Sequence, residues 1–206
     1  MQTVEFEKYL QNKQGELSLL LKQQSNAADE LQELTELYEH VFNAQDVLRR
    51  TAQQAQQQIE FHISDFVSSA LETVWEDTAY TFTLKFELKN NKTVVEMFLN
   101  RDGVIVGLKN PNLIRGGGGV LDVIGFALRI ALWSLLVPHK HVMILDQPFQ
   151  NVDNVYIEKV GELLNEMSEK LELQFLIINH NPLLAMLAQK TFEVVKTEKG
   201  SEVKVL

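Results

Sequence analysis

The chain has no cysteine, only four prolines and ten glycines, and no glycine followed by lysine. Without cysteine there is no disulfide framework, thiolate zinc site or cysteine nucleophile. Without a glycine–lysine pair there is no G-x-x-x-x-G-K-[ST] loop to cradle a phosphate. The start, MQTVEFEKYLQ, lacks the apolar stretch of a signal peptide. The longest apolar run, Val120 to Val137, is interrupted by Asp122 and Arg129, which argues against a membrane span. Positive charge is short as well, with 19 Lys+Arg against 28 Asp+Glu and a net of −9. Such a chain does not coat nucleic acid by charge alone. What remains is 206 residues with 45% hydrophobic side chains, enough for one domain, or one domain plus an extension.

The deficits are uneven. Residues 1–75 contain no proline, one glycine (Gly15) and 12 glutamines, with 5 basic and 12 acidic side chains, so nothing interrupts a helix for tens of residues. A heptad register runs from Leu31. Leu31, Tyr38, Gln45, Ala52, Ile59 and Phe66 take the a positions, and Leu34, Val41, Leu48, Ala55 and His62 the d positions. A period of 3.5 selects a left-handed coiled-coil seam. The sequence offers no second helix of matching length, so the seam implies a partner outside this chain. Gln45 and His62 fit register-setting polar positions.

Past Trp75 the period falls to two. Tyr80, Phe82, Leu84, Phe86 and Leu88 alternate with polar residues, and Val94–Leu99 and Val104–Leu108 follow as strands after turns at Asn90-Asn91 and Asn100–Gly103. This meander is expected to cover one side of a core. From Gly119 the order becomes helix to about Leu136, strand 142–145, helix 155–171, strand 175–178 and helix 182–188, an α/β alternation that predicts a parallel-type core. A hairpin, 192–196 with 202–206 around Lys199-Gly200, closes the chain. The expected organisation is an arm over 1–75 and an α/β lobe over 76–206.

Three segments carry chemistry. Arg115-Gly116-Gly117-Gly118-Gly119 precedes an apolar helix, where side-chain-free amides and a helix N-terminus suit a phosphate; a flexible linker is the plainer alternative. Val142–Leu145 ends in Asp146-Gln147-Pro148, a carboxylate at the carboxyl edge of an apolar strand, where open α/β sheets place ligands and where Mg²⁺ satisfies such a group in phosphate chemistry. An Asp capping the next turn is the alternative. Leu176–Ile178 ends in Asn179-His180-Asn181, and a parallel neighbour would bring His180 to the edge that carries Asp146.

In this order, with Asn151-Val152-Asp153 between the last two, these motifs resemble the C-terminal lobe of an ABC-type ATPase with coiled-coil arms. Such proteins include the structural-maintenance-of-chromosomes (SMC) group and the ATPase subunits of double-strand-break-repair nucleases. GGGGVLDVIGFALRIALWSL followed by LDQPFQNVD looks most like the phage and bacterial recombination exonucleases. The resemblance implies that Gly116, Gly117, Gly118 and Gly119 form the signature motif, which meets the γ-phosphate of ATP held by a second head. It implies that Asp146 supports Mg²⁺, that Asn151 to Asp153 form the D-loop at the dimer interface, and that His180 is the switch histidine. Gln147 stands where the family has the glutamate that polarises the attacking water, and Gly116 where it has a serine.

Glutamine cannot take up a proton at neutral pH, so hydrolysis is expected to be slow or trapped, by design or by nature. The resemblance further implies an N-terminal half carrying the phosphate-binding loop, a second head, a nuclease subunit near the base of the arm, and DNA through the assembly, in the cytoplasm with no membrane. A non-enzymatic coiled-coil assembly module with a degenerate ATPase fold is the alternative.

Overall fold

The computed structural model describes residues 2–90, 92–109, 117–136, 141–198 and 200–206. Four residues singled out in the sequence, Asn91, Arg115, Gly116 and Lys199, lie outside these. The chain divides into two compact units, residues 1–55 and 56–206, and the first helix, α1 (Gln2–Val74), spans the division.

Residues 6–55 of α1 carry almost wholly exposed side chains. Ion pairs within the helix, Lys13 with Glu16 and Asp46 with Arg49 and Arg50, lie on its surface. The heptad residues Leu31, Leu34, Tyr38, Val41 and Leu48 are all more than half exposed. From Leu31 to Leu48 the seam is uncovered among the described residues.

In the second unit the buried side chains form one core. The last turns of α1 contribute Ile63, Val67, Ala70, Leu71 and Val74, a stripe at helical spacing. This stripe is not the continuation of the heptad seam, whose Phe66 and His62 lie to one side. The helix buries a new face where it meets the sheet.

Strands β1 (Tyr80–Lys89), β2 (Lys92–Arg101) and β3 (Val104–Gly107) form the expected antiparallel meander. Phe82 pairs with Leu99 and Leu84 with Met97 on the inward face. Between β2 and β3, Asp102 and Gly103 both have positive φ (51° and 83°), as a type I′ turn demands. The edge of β1 is closed by the helix. Ser68 Oγ accepts the N–H of Phe82 and Ser64 Oγ that of Leu84, both at 2.9 Å, and the Glu60 carboxylate accepts that of Phe86. Four helical residues (about 6 Å) match two strand residues (about 6.8 Å), so acceptors at i, i+4 and i+8 keep pace with every second amide.

Helix α2 (Gly117–Leu136) is the centre of the core. It is long and apolar enough to cross a bilayer by length and composition. Its Val120, Val123, Ile124, Phe126, Ala127, Ile130 and Ala131 are instead buried among the other elements. Phe126 meets Phe149 edge-on at 5.2 Å and Phe175 at 5.7 Å. Strand β4 (Val142–Asp146), a 3₁₀ turn (Asn154–Tyr156), α3 (Ile157–Leu171), β5 (Gln174–Ile178) and α4 (Pro182–Met186) follow the expected alternation. β4 and β5 pair in parallel, with α3 as the crossover. Asn181 caps α4, its side chain accepting from Leu183 N at 3.0 Å. The hairpin β6 (Phe192–Thr197) and β7 (Gly200–Val205) closes the chain.

Candidate functional site

The parallel pairing sets Asp146, the last residue of β4, opposite Ile178, the last of β5. The two carboxyl ends therefore form one edge. Gln147 turns off it in the left-handed region (φ 47°) and donates its N–H to Ile178 O at 2.8 Å. A left-handed glutamine is strained by about 1 kcal/mol or more, which the neighbouring contacts must over-determine. His180 lies two residues beyond Ile178, exposed to solvent, as is the Asp146 carboxylate, and Gln147 is half-buried.

The glycine segment reaches the same region from α2. Gly117 has φ +73°, and among the described residues nothing lies within 4 Å of where a Cβ would stand. Gly118 and Gly119 are different. A Cβ on Gly118 would lie 2.7 Å from Asn151 Cβ, and one on Gly119 would lie 2.9 Å from Asn151 O and 3.1 Å from Val152 Cα. These two glycines have a packing reason of their own, because only bare backbone fits against the 151–152 chain. One turn into α2, the Asp122 carboxylate accepts the Asn151 N–H at 2.9 Å and its side-chain amide at 3.2 Å.

The loop after β4 is also held at its far end. Asn181 Nδ2 donates to Asn154 Oδ1 at 3.0 Å, and Asn181 N donates to Asn179 Oδ1 at 2.6 Å. Asp153 stands exposed between these anchors and makes no capping bond to the 3₁₀ turn behind it.

Among the described residues no group of three or more His, Asp or Glu could hold a metal by itself. Asp146 is a single free hard-oxygen donor. That suits Mg²⁺, which commonly takes one or two protein carboxylates and completes its shell with water and substrate phosphate.

The two-stranded sheet departs from a buried parallel sheet in one respect. Met143, Leu145, Phe175 and Ile177 face the core, whereas Val142, Ile144, Leu176 and Ile178 on the opposite face are each at least half exposed. Strand alternation places Asp146 on that open face. Parallel sheets are ordinarily covered on both sides, and among the described residues nothing covers this apolar layer. Asp146 is exposed for the same reason.

An SMC ATPase structure, from work on ATP-driven dimerization and DNA-stimulated activation, superposes with a TM-score of 0.57 at 18% identity, covering 75% of this chain and 88% of that one. The fold is that of an SMC ATPase head, in part. A Smc head bound to the C-winged helix domain of ScpA gives 0.54 at 17% identity, over 70% of this chain and 42% of that one. The Pyrococcus furiosus Smc head with an extended coiled coil, bound to the C-terminal domain of ScpA, gives 0.53 at 17%, over 70% and 34%. In sequence, the spermidine/putrescine import ATP-binding protein PotA of Mycoplasmopsis synoviae (strain 53) is 26% identical over 160 residues, 75% of this chain. The chain spans about a third (34%) of that relative's length. No family model matches.

Asp122, Asn154 and Asn181 make the contacts that hold this loop, and the sequence motifs assign none of them a role. In sequence Asp122 is only an interruption of an apolar run. Its position four residues after Gly118 on one helix face was the available signal.

Proposed function

We propose that the chain is the C-terminal half of an SMC-like, ABC-type ATPase serving a DNA repair or recombination nuclease complex. The observation that carries this reading is Asp146 at the end of an exposed apolar strand face, paired with Ile178 two residues before His180. Such a face calls for further strands or helices, and this sequence lacks a phosphate-binding loop. An N-terminal half carrying that loop would supply both, and the exposed heptad face of the arm would take its outgoing helix.

In this reading ATP lies between two heads. Gly116 to Gly119 would serve as the signature motif toward its γ-phosphate, and Asp146 would hold Mg²⁺, which neutralises phosphate charge when bound. Gln147 orients water by hydrogen bonding without removing its proton, and His180 meets the phosphate from the next strand. Asn151 and Asp153 belong to the interface between heads. DNA is met by the assembled dimer, and a nuclease subunit docks near the base of the arm. The test is to combine the two halves and follow ATP- and Mg²⁺-dependent dimerization by light scattering. Failure of the halves to associate, or of the pair to dimerise with ATP, would sink the proposal. Gln147 favours a second reading, a non-enzymatic coiled-coil assembly module with a degenerate ATPase fold, in which turnover stays absent whatever residue stands at 147.

A further inference from the structure

Asp122 sits where a carboxylate is least expected, in a long, strongly apolar helix, and both its oxygens are committed to one neighbour. It accepts the backbone N–H of Asn151 at 2.9 Å and its side-chain amide at 3.2 Å. The contact lies one turn beyond Gly118 and Gly119, whose missing side chains let α2 rest on the same stretch, Asn151 and Val152. Steric closeness alone would allow the two segments to slide. A carboxylate gripping one residue through main chain and side chain fixes their register, because ionic acceptors make the stronger and more directional hydrogen bonds. The other end of the loop is tied to the β5–α4 turn through Asn154 and Asn181.

We infer that Asp122 is a positioning residue of the nucleotide-dependent interface. It locks the loop after Asp146 to the first turn of α2, so that glycine turn, loop and strand edge reach a second head as one rigid surface. Asn151 serves this surface from within, since its amide is spent on Asp122. The inference rests on the ATPase reading for its consequence, but not for the lock itself.

Two measurements separate the levels. Hydrogen exchange on the 206-residue chain should show the Asn151 amide and the start of α2 exchanging about tenfold faster in Asp122→Asn, the loss expected of a charge-assisted bond. The urea midpoint should fall modestly, with the slope unchanged. ATP-driven association with the complementary half should weaken about tenfold. The exchanged pair D122N/N151D restores an amide–carboxylate contact and should recover both readouts. Unchanged exchange in D122N, or an exchanged pair no better than the single variants, overturns the lock. Faster exchange with unaltered association overturns its role at the interface. If the wild-type chain and its complementary half ignore ATP while the exchange pattern holds, the ATPase reading falls and the lock stands.

Discussion

The Ser64 hydroxyl accepts the backbone N–H of Leu84 at 2.9 Å, tying the last turns of the long helix to the edge of the meander. Ser68 does the same for Phe82 one turn on. Both amides belong to buried residues, so removing either hydroxyl strands a donor, at a cost of about 1–3 kcal/mol. Ser64→Ala and Ser68→Ala should each lower the unfolding free energy by that amount, read as a lower urea midpoint with unchanged slope. Ser69→Ala, on an exposed neighbour, should do nearly nothing.

The glycines are predicted to rank by surroundings rather than by motif. Gly119→Ala drives a Cβ into Asn151 O and Val152 Cα, backbone that cannot swing aside, and should be the most damaging to stability. Gly118→Ala meets the Asn151 side chain first and should cost less. Gly15→Ala, in open space on a helix, should stabilise α1 by about 0.5–1 kcal/mol. Thermal unfolding of the three variants checks the order.

Gln147→Glu should raise ATP turnover of the completed ATPase by about 10²–10⁴, the worth of a general base. ATP affinity should be little altered. Single-turnover kinetics separates the two, and an unchanged rate would favour the assembly-module reading.

Glu96 bridges Lys109 and Lys89, and their hydrogen bonds hold its carboxyl down to about 2 from 4.5. A depressed acid stabilises the fold above its unfolded pKa, and that contribution fades as pH falls from about 4.5 through about 2. The gap in melting temperature between the wild type and Glu96→Gln should therefore be present at pH 6 and close by pH 2. High salt should narrow it at every pH, since all three groups meet solvent.

The uncovered face of the β4–β5 sheet separates folding from association. Ile144→Gln, at a position 67% exposed, should leave the circular dichroism and melting of the isolated chain intact yet weaken capture of the complementary half at least tenfold. Leu145→Gln, on the buried face, should unfold the chain, because an unpaired amide enters the core. Isothermal titration against the complementary half distinguishes the two.

Most of the architecture was legible because period and punctuation agree. A stretch without proline became one helix, period-two residues from Tyr80 became the meander, and the alternation after Gly119 became the parallel pair that brings Asp146 and His180 to one edge. What stayed hidden depends on which elements meet. The heptad extends through Phe66, but contact with the sheet selects Ile63, Val67 and Leu71 instead. Ser64 and Ser68 look like ordinary polar helix positions until a strand edge lies against them. The role of Gly118 and Gly119 as contact surfaces needs the loop at Asn151 beside them.

The spacing of partners along the chain also orders the events of folding. Ser64 finds Leu84 across 20 residues and β1 meets β2 through a tight turn, whereas Val142 must wait for Gln174 across a whole crossover. Loop closure delays the longer pairing. Pulse-labelled amides of β1 and β2 should gain protection before those of β4 and β5. The edge that carries Asp146 and His180 is then the last part of the molecule to set, and the first to loosen when the chain is stressed.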